Sequence, residues 1–373
     1  MGGFLTFLSI LVLSVPAAVA VSATGDELTI VAIGDVLPGI AYASRIERGH
    51  DPFVNLSPCL ARADLALANL ETAMSDRGSR VSGKKFTFRI PPSRANLLVG
   101  SGLDILSLAN NHIMDYGADA LADTVRALSD SGLLHCGAGA TLTEARRPAR
   151  AVVRGRRVAV LGYNRTLPRT FWATDSRPGT AFAKVETVRA DVSRAREEND
   201  IVIVLVHWGR ERTHELRPYQ RPVASAAIEA GADLVVGAHP HVAHGIERMG
   251  SGVVAYSLGD AVFGGAYTRD EDSLVLRARF GADGLREVEF LALETSNANT
   301  GFAPRIRKGK RARATLAMVS DMSAKLGTEL KQAVSADGFP CLRLVLADSK
   351  ARAGGGGPAA AVETSPAAAA GKP

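Results

Sequence analysis

The sequence predicts an α/β fold whose sheets are buried on both faces, and three observations support this prediction. Seven short runs rich in Val, Ile and Leu each end near a Gly, Asn, His or Asp, as buried strands commonly do. Amphipathic, helix-like segments separate several of these runs, which is typical of strands joined by crossover helices. The chain has 373 residues, of which 46% are hydrophobic and 22% charged, so it can bury a full core.

The predicted elements follow one another along the chain with recognisable ends. Helices are predicted at 120–132 and 217–231, the second ending at Gly231, because glycine is common just after a helix C-terminus. Two alternating runs within 273–294 flank an Ala-Asp-Gly turn, so we expect an antiparallel hairpin at the edge of a sheet. The seven predicted strands are LTIVAIGD (28–35), DLALANLE (64–71), DILSLANNH (104–112), RVAVLGYN (157–164), DIVIVLVHWG (200–209), ADLVVGAHPH (232–241) and GVVAYSLGD (252–260).

The composition divides the chain into four segments. Residues 1–23 are apolar from Phe4 onward and contain small-residue cleavage patterns, which predicts a secretory signal or, since the stretch is long enough, an uncleaved membrane anchor. We therefore expect an exported, periplasmic or extracytoplasmic protein. The main domain is expected at 24–300 and a C-terminal helical extension at 301–349. Residues 350–373 are rich in Gly, Ala and Pro, which predicts a disordered tail.

Charge and cysteine content exclude several classes of protein. Lys and Arg total 44 against 38 Asp and Glu, and the resulting charge of +6 is mild. No aromatic-rich basic motif accompanies it, so nucleic acid is not an expected partner. The three cysteines lie far apart without CxxC spacing, which argues against a disulfide framework and a zinc–thiolate site. Cys59 and Cys136 stand in apolar contexts and are expected in the core.

Side chains that commonly bind metals follow the predicted strands. Three of the eight histidines fall within GAHPHVAHG (237–245), directly after an apolar run. Sites in α/β proteins form beyond the carboxyl ends of strands. Carboxylate, amide and imidazole donors together suit Mn, Fe, Zn or Mg, and a bridging carboxylate could hold two divalent cations for phosphoryl chemistry. The candidate ligands are Asp35, Glu71, Asn111, His207, His239 and His241.

Each candidate also has a simpler interpretation. Asp35 could cap a helix, Asn110 and Asn111 could serve turn geometry, and His207 could be a core imidazole bonded to a carbonyl. In an extended segment, the two histidines around Pro240 would point to one face. Six such groups at successive strand ends are hard to explain as packing, so the joint pattern favours a metal site.

The order of the motifs resembles that of the CapA family, the poly-γ-glutamate capsule biosynthesis proteins, which belongs to the calcineurin-like metallophosphoesterase superfamily. This resemblance extends from about residue 28 to 266 and implies a sandwich of two mixed β-sheets flanked by helices, with two divalent metal ions (Mn, Fe, Zn or Mg). The motifs that carry it are GDVLPG, NLE, SLANNHIMDYG, HWGRE, GADLVVGAHPHV and YSLGDAVFG.

The resemblance also implies roles for individual residues. Asp35 matches the first-metal aspartate, Glu71 the bridging carboxylate, and His241 a ligand that returns to the first metal. The second-metal ligands would be Asn111, His207 and His239. His112 matches the histidine that contacts or protonates the leaving group, so His112 and Asp35 are the expected catalytic residues. Residues expected to support these ligands or to contact substrate are Asn69, Asp115, Glu211 and Asp260.

Three positions depart from the motifs of the family or of its superfamily. Leu37 fits the CapA family, which usually has an apolar residue there, but stands where phosphoesterases of the superfamily commonly have a histidine ligand of the first metal. Asp260 stands where the closing block normally has asparagine, and adds a negative charge near the site. His244 replaces a frequent glutamine and is expected at the surface.

Three functions are compatible with these features. The first is a role in the cell envelope in the synthesis or export of poly-γ-glutamate or a similar anionic polymer, with membrane-bound capsule synthesis proteins as further partners. The second is a general extracytoplasmic metal-dependent phosphoesterase that hydrolyses a phosphate ester. The third is a non-catalytic, polymer-binding scaffold. In the enzymatic cases the expected reaction is metal-assisted hydrolysis with His112 as proton donor, and Arg210 and Arg212 could neutralise an anionic substrate.

Overall fold

The computed structural model describes residues 27–263 and 272–346. The predicted signal or anchor at 1–23 and the predicted tail at 350–373 lie outside the described residues. Among the helices that are described, none combines the length and the apolar character needed to cross a bilayer.

The described chain contains many short strands and a smaller number of helices. The strands, in chain order, are β1 (Leu28–Leu37), β2 (Leu65–Leu70), β3 (Ala73–Met74), β4 (Arg89–Ile90), β5 (Ile105–Ser107), β6 (Leu134–Cys136), β7 (Ala138–Gly139), β8 (Ala149–Val153), β9 (Arg156–Asn164), β10 (Gly179–Thr180), β11 (Ile201–His207), β12 (Leu234–Ala238), β13 (Ile246–Met249), β14 (Gly252–Ala255), β15 (Asp260–Phe263), β16 (Asp272–Gly281), β17 (Gly284–Glu294), β18 (Arg305–Ile306), β19 (Lys331–Val334) and β20 (Pro340–Val345). The helices are α1 (Ala43–Ile46), α2 (Ser57–Leu60), α3 (Ala95–Gly100), α4 (Gly117–Asp130), α5 (Leu142–Ala145), α6 (Val185–Glu198), α7 (Gln220–Glu229), α8 (Asn297–Thr300) and α9 (Gly309–Ala324).

Two mixed sheets organise these elements. The larger has the order β19-β20-β17-β16-β1-β2-β5-β6, with β15 also paired to β1 and β18 to β17. Its β1, β2, β5 and β6 are parallel, whereas β16, β17, β20 and β19 continue the sheet in antiparallel pairs. The second has the order β13-β14-β12-β11-β9-β8, with parallel pairs in its centre and antiparallel pairs at both edges.

A shared apolar core holds the two sheets together. Ile30 and Leu67 of the larger sheet and Val160 and Ile203 of the smaller one belong to one buried cluster, to which Leu316 of α9 also contributes. Separate clusters cover the outer face of each sheet, where α3 and α4 pack on the larger and α6 and α7 on the smaller. The predicted sandwich of two mixed sheets flanked by helices is therefore confirmed.

Single positions in this core also follow the sequence prediction. Cys59 and Cys136 are buried and unpaired, as expected. Gly231, just beyond α7, has a φ of +111°, a backbone conformation that side chains other than glycine rarely adopt, so it stops the helix as predicted.

The C-terminal third differs from the prediction in two respects. The hairpin of β16 and β17 is not at an edge, because β16 pairs with β1 and β17 pairs with β20. The described part of the predicted helical extension (301–349), residues 301–346, is not only helical: after α9 it forms the hairpin of β19 and β20, which extends the large sheet beyond β17. The strand β19 was hard to recognise because its residues are largely exposed and include Lys331 and Gln332.

The predicted strand at 252–260 is divided between the two sheets. β14 pairs with β12 in the smaller sheet, whereas β15 pairs with β1 in the larger, so the chain crosses between sheets at residues 257–259. Gly34 makes the close approach possible, since a Cβ there would lie 1.7 Å from the carbonyl oxygen of Gly259. The crossing places Asp260 opposite Asp35 in the β1–β15 register.

Candidate metal centre

The carboxyl ends of the parallel strands of both sheets meet at one place. Asp35 lies near the end of β1, Asn69 in β2 and His207 at the end of β11. The Asn69 amide donates to Asp35 Oδ1 at 2.7 Å and lies 3.2 Å from His207 Nδ1, so it joins the two sheets at the site. Asn69 therefore contacts predicted ligands on both sides, which agrees with its expected supporting position.

One group of candidate ligands lies on the His207 side. Glu71, His207 and His239 offer ligand atoms that all lie within 4.8 Å of one another. His207 Nε2 is 3.5 Å from Glu71 Oε1 and 3.1 Å from His239 Nδ1. The side-chain oxygen of Asn111 lies 2.7 Å from the same His207 nitrogen. These four residues match the predicted second-metal set together with the bridging carboxylate.

A second group lies on the Asp35 side. Asp35, His241 and Asp260 also offer ligand atoms within 4.8 Å of one another. His241 Nδ1 is 3.7 Å from Asp35 Oδ2 and 2.8 Å from Asp260 Oδ1. A distance of 3.7 Å between Asp35 Oδ1 and His207 Nδ1 connects the two groups. The six predicted ligands thus converge. Asp260, which was expected only to support the ligands or to contact substrate, lies among them.

Glu71 provides the test of whether a cation fits this site. Its side chain is fully buried, and neither carboxylate oxygen has a hydrogen-bond partner among the described residues. A buried carboxylate without a partner is strongly unfavourable, and buried charges are normally paired or bound to metals. Its neighbours are imidazole and amide groups, which are good donors for divalent cations. The residues present therefore fit divalent metal ions.

Burial shifts the pKa values of the carboxylates and of two histidines in opposite directions. Burial, together with the charge of Glu71, raises the pKa of Asp35 to about 7, and burial raises the pKa of Glu71. Burial lowers the pKa of His207 to about 4 and, with its histidine neighbours, lowers that of His239 well below its usual value. The two imidazoles are consequently neutral at pH 7, the form in which histidine binds metals.

His241 behaves differently from the other two histidines. Burial alone would lower its pKa, but the carboxylates of Asp260, Glu71 and Asp35 outweigh that effect and hold the pKa well above its usual value. Without a cation, a proton on His241 partly compensates the negative charge of these groups. A cation that binds here has to displace that proton.

Cation affinity should therefore depend on pH. Asp35, Glu71 and His241 have raised pKa values, so each binds a proton that a cation must displace, and affinity should fall as the pH drops. For Asp35 alone the loss should approach tenfold for each pH unit below about 7. Calorimetric titration with Mn²⁺ at pH 6, 7 and 8 measures this. Equal affinity across the range would contradict it.

The histidine-rich loop is turned rather than extended. The expectation that the two histidines around Pro240 share one face assumed an extended segment, so its premise is not met. β12 ends at Ala238, and His239 and His241 have φ values of +95° and +58°. Such values are unusual outside glycine and cluster at functional sites. The turned backbone brings both imidazoles to the site, and the His239 amide donates to Asp35 Oδ2 at 3.0 Å. The two histidines therefore converge as predicted, but because the backbone turns and not because side chains alternate along a strand.

His112, the expected proton donor, lies beside the first group of ligands. Its Nε2 is 3.8 Å from Glu71 Oε1, and its Nδ1 is 2.6 Å from Asp115 Oδ2. A hydrogen bond at Nδ1 orients the ring so that Nε2 faces the site. Asn110 shapes this turn, since its side-chain oxygen accepts the backbone N–H of His112. Asp115 thus supports His112 as expected, whereas Asn110 serves the turn.

Two neighbours of His112 were missed by the sequence analysis. Lys84 Nζ bonds to the Asn111 carbonyl oxygen, to Asp115 Oδ1 at 2.5 Å, and lies 3.1 Å from His112 Nδ1. Phe88 stacks on the His112 ring with a centroid separation of 4.1 Å. Both come from the loop between β3 and β4. Only the basic pair Lys84-Lys85 before an alternating run marked this segment.

The remaining predicted positions lie around this centre. Glu211, Arg210 and Arg212 follow β11 in an exposed loop, and none of them belongs to either ligand group. Leu37 is fully buried in the outer core of the large sheet and offers no donor. His244 is also fully buried, so its predicted surface position is wrong. Its Nε2 lies 2.7 Å from the Thr213 carbonyl oxygen, and burial lowers its pKa to about 4.

Comparison with known proteins agrees with the motif order. A capsule biosynthesis protein CapA of Bacillus anthracis is 29% identical over 284 residues, covering 72% of this chain and 67% of that protein. A PGA biosynthesis protein CapA of Bacillus subtilis (strain 168) is 30% identical over 278 residues, covering 73% of each. Among solved structures, a 5'-nucleotidase precursor from Thermus thermophilus has a TM-score of 0.46 at 17% identity, covering 82% of this chain but only 60% of that one.

The family model for the bacterial capsule synthesis protein PGA_cap matches residues 29–265. This range contains every candidate ligand described above as well as His112 and Asp260. The match extends over more than half of the chain, and the resemblance inferred from the motifs is confirmed. The chain therefore belongs to the bacterial capsule synthesis protein PGA_cap family.

Proposed function

We propose that this protein is an exported, metal-dependent hydrolase of phosphoesterase type that acts in the synthesis or export of poly-γ-glutamate or a similar anionic capsule polymer. Family membership and the similarity to the two Bacillus capsule or PGA biosynthesis proteins support the capsule role. The observation that carries the hydrolytic part is Glu71, a fully buried carboxylate without a hydrogen-bond partner in the described chain. It belongs to the ligand group of His207 and His239 and interacts electrostatically with His241 of the other group.

We assign the ligands to two cations. Asp35 and His241 would hold one, Asn111, His207 and His239 would hold the other, and Glu71 would be shared. Two divalent cations bound in this way would acidify a water molecule and neutralise charge on a phosphoryl group. The centre needs no thiolate, which is consistent with Mn, Fe, Zn or Mg.

The chain's own residues supply the remaining steps. His112 directs Nε2 toward the ligand clusters and would donate a proton or a hydrogen bond to the departing oxygen of the substrate. Asp115 bonds to the opposite nitrogen, holds the ring in place and opposes the lowering of the His112 pKa by burial. The exposed Arg210 and Arg212 would attract a polyanionic substrate toward the centre, because guanidinium groups pair well with carboxylate and phosphate.

The experiment that tests this proposal begins with metal content. The purified full chain, loaded with Mn²⁺ and dialysed, should bind two equivalents by elemental analysis, and His239→Ala should bind one. The matched control is His135→Ala, because His135 lies on β6 in neither ligand group. Unchanged stoichiometry in His239→Ala would reject the assignment.

Substrate assays then separate the three functions. Metal-dependent release of phosphate from a phosphorylated precursor of poly-γ-glutamate would support the capsule role. Turnover confined to generic esters such as p-nitrophenyl phosphate would favour a general phosphoesterase. If the protein binds metal and polymer but turns over neither the phosphorylated precursor nor a generic ester, the non-catalytic scaffold is favoured and the proposed hydrolysis is overturned.

A further inference from the structure

The Asp35 side of the centre contains a carboxylate, that of Asp260, which is not among the ligands assigned to the two cations. Asp260 lies opposite Asp35 in the parallel β1–β15 register, and its Oδ1 is 2.8 Å from His241 Nδ1. The same His241 nitrogen is 3.7 Å from Asp35 Oδ2. The two carboxylates therefore face one imidazole nitrogen from neighbouring strands, a geometry in which all three side chains can reach one ion.

The neighbouring position on β1 offers no donor. Leu37 is fully buried among apolar side chains of the outer core, so the ligand set on this side cannot be completed from its side chain. Asp260, which is 14% exposed, points into the centre from β15. It is the third member of the ligand group with Asp35 and His241.

We propose that Asp260 is a direct ligand of the cation held by Asp35 and His241, and that it makes the two halves of the centre selective for different metals. This inference rests on the proposed two-cation centre. With Asp35, Asp260 and the shared Glu71, the first half has three carboxylates and one imidazole. The second half has the imidazoles of His207 and His239 with Glu71 and the Asn111 amide.

The donor chemistry predicts which cation each half prefers. Carboxylate oxygens suit Mn²⁺ and Mg²⁺, whereas imidazole suits Zn²⁺ and iron. We therefore infer that the Asp260 half takes an oxygen-preferring cation and the imidazole half a zinc-type cation. A different role for Asp260 is to orient His241 through the Nδ1 contact, as carboxylates commonly do for metal-binding histidines. Replacing Asp260 distinguishes the two roles: loss of a direct ligand should weaken Mn²⁺ binding more than Zn²⁺ binding, whereas loss of an orienting group should weaken both alike.

The test measures Mn²⁺ and Zn²⁺ affinities of each half in the full-length chain. Asp260→Asn keeps an oxygen that can accept from His241, and Asp260→Ala removes the group altogether. If Asp260 is a ligand, both variants should lose Mn²⁺ affinity at one site by more than about 100-fold, with a much smaller loss for Zn²⁺, because second-sphere changes alone cost about 10–100-fold. The zinc-preferring site should stay filled. Thermal unfolding of the metal-free proteins shows that the variants are folded.

Glu211→Gln is the matched control for charge. Glu211 acts on Glu71 and His207 electrostatically but belongs to neither ligand group. Its replacement should leave the ratio of Mn²⁺ to Zn²⁺ affinity unchanged. An equal loss in Glu211→Gln, or parallel losses of both metals in the Asp260 variants, would overturn direct ligation. If the unaltered chain binds fewer than two cations, the two-cation assignment itself fails; if it binds two and the Asp260 variants keep the original preference, only this inference fails.

Discussion

Replacing Glu71 with glutamine is expected to weaken the binding of both cations and, at the same time, to stabilise the metal-free protein. Glutamine has nearly the same shape but lacks the charge that a shared ligand supplies. Changes to residues that only support ligands cost about 10–100-fold in metal affinity, so loss of the bridging carboxylate should cost more than about 100-fold at each site. Elemental analysis after dialysis measures the occupancy.

The gain in metal-free stability follows from the environment of Glu71. Burial raises its pKa, so the penalty for ionising this carboxylate in the folded state grows as the pH rises. Glutamine avoids that penalty. The free energy of unfolding of metal-free Glu71→Gln should exceed that of the metal-free parent at pH 8, and by less at pH 5, where the carboxylate of the parent is largely protonated. Denaturant unfolding in the presence of a chelator measures both values.

A second buried glutamate provides the matched control. Glu289 is also fully buried, but it pairs with Arg277, Arg279 and Arg343. Glu289→Gln should therefore destabilise the protein, because removing one partner leaves buried charge uncompensated. It should leave metal content unchanged. A metal-free Glu71→Gln that is as destabilised as Glu289→Gln would mean that Glu71 has a structural partner and would contradict its role as a ligand.

Replacing His112 with asparagine is expected to reduce turnover while leaving the cations in place. General acid catalysis by a positioned side chain typically contributes about 10²–10⁴-fold, so the turnover number should fall by that factor on any ester the parent enzyme hydrolyses. The effect should be on turnover rather than on metal content, because His112 belongs to neither ligand group. Steady-state kinetics combined with elemental analysis separates the two quantities.

Asp115 supplies the comparison for His112. Its carboxylate accepts from the Phe88 amide at 2.7 Å and contacts His112 and Lys84, so Asp115→Asn loosens the His112 ring without removing it. Its turnover should lie between those of the parent and His112→Asn. Full activity in His112→Asn would remove this histidine from the reaction, and loss of a cation in that variant would make it a ligand instead.

The sequence predicted the parts of the fold that depend on local pattern. Continuous apolar runs predicted the central strands of both sheets, because these strands are buried on both faces. The position of the β16–β17 hairpin could not be predicted, since it depends on whether a later segment pairs with its outer strand. The split at residues 257–259 was equally hidden, because both halves of that run are buried and differ only in the sheet they join.

In the site, too, the positions set by local sequence pattern were predictable and those set by tertiary contacts were not. The convergence of the six candidate ligands was predictable because each lies at or just beyond the end of a strand that could be located from the sequence. Lys84 was not, because it lies in a loop whose path is set by contacts with Asp115 and Asn111 rather than by its own pattern. The burial of His244 depends on a neighbouring loop that bonds to it through Thr213. The close approach of Asp260 to His241 depends on the crossing between sheets, which is a tertiary feature.

The central claim is that the converging carboxylates and imidazoles bind two cations that share Glu71. Crystals of the full chain grown with Mn²⁺ and measured near the manganese absorption edge test this most directly, because anomalous difference maps locate the ions. We expect two peaks about 3.5–4 Å apart, the usual spacing in two-metal phosphoryl-transfer sites, one on each side of the Glu71 carboxylate. A map at saturating Mn²⁺ with fewer than two peaks within bonding distance of Glu71 would contradict it.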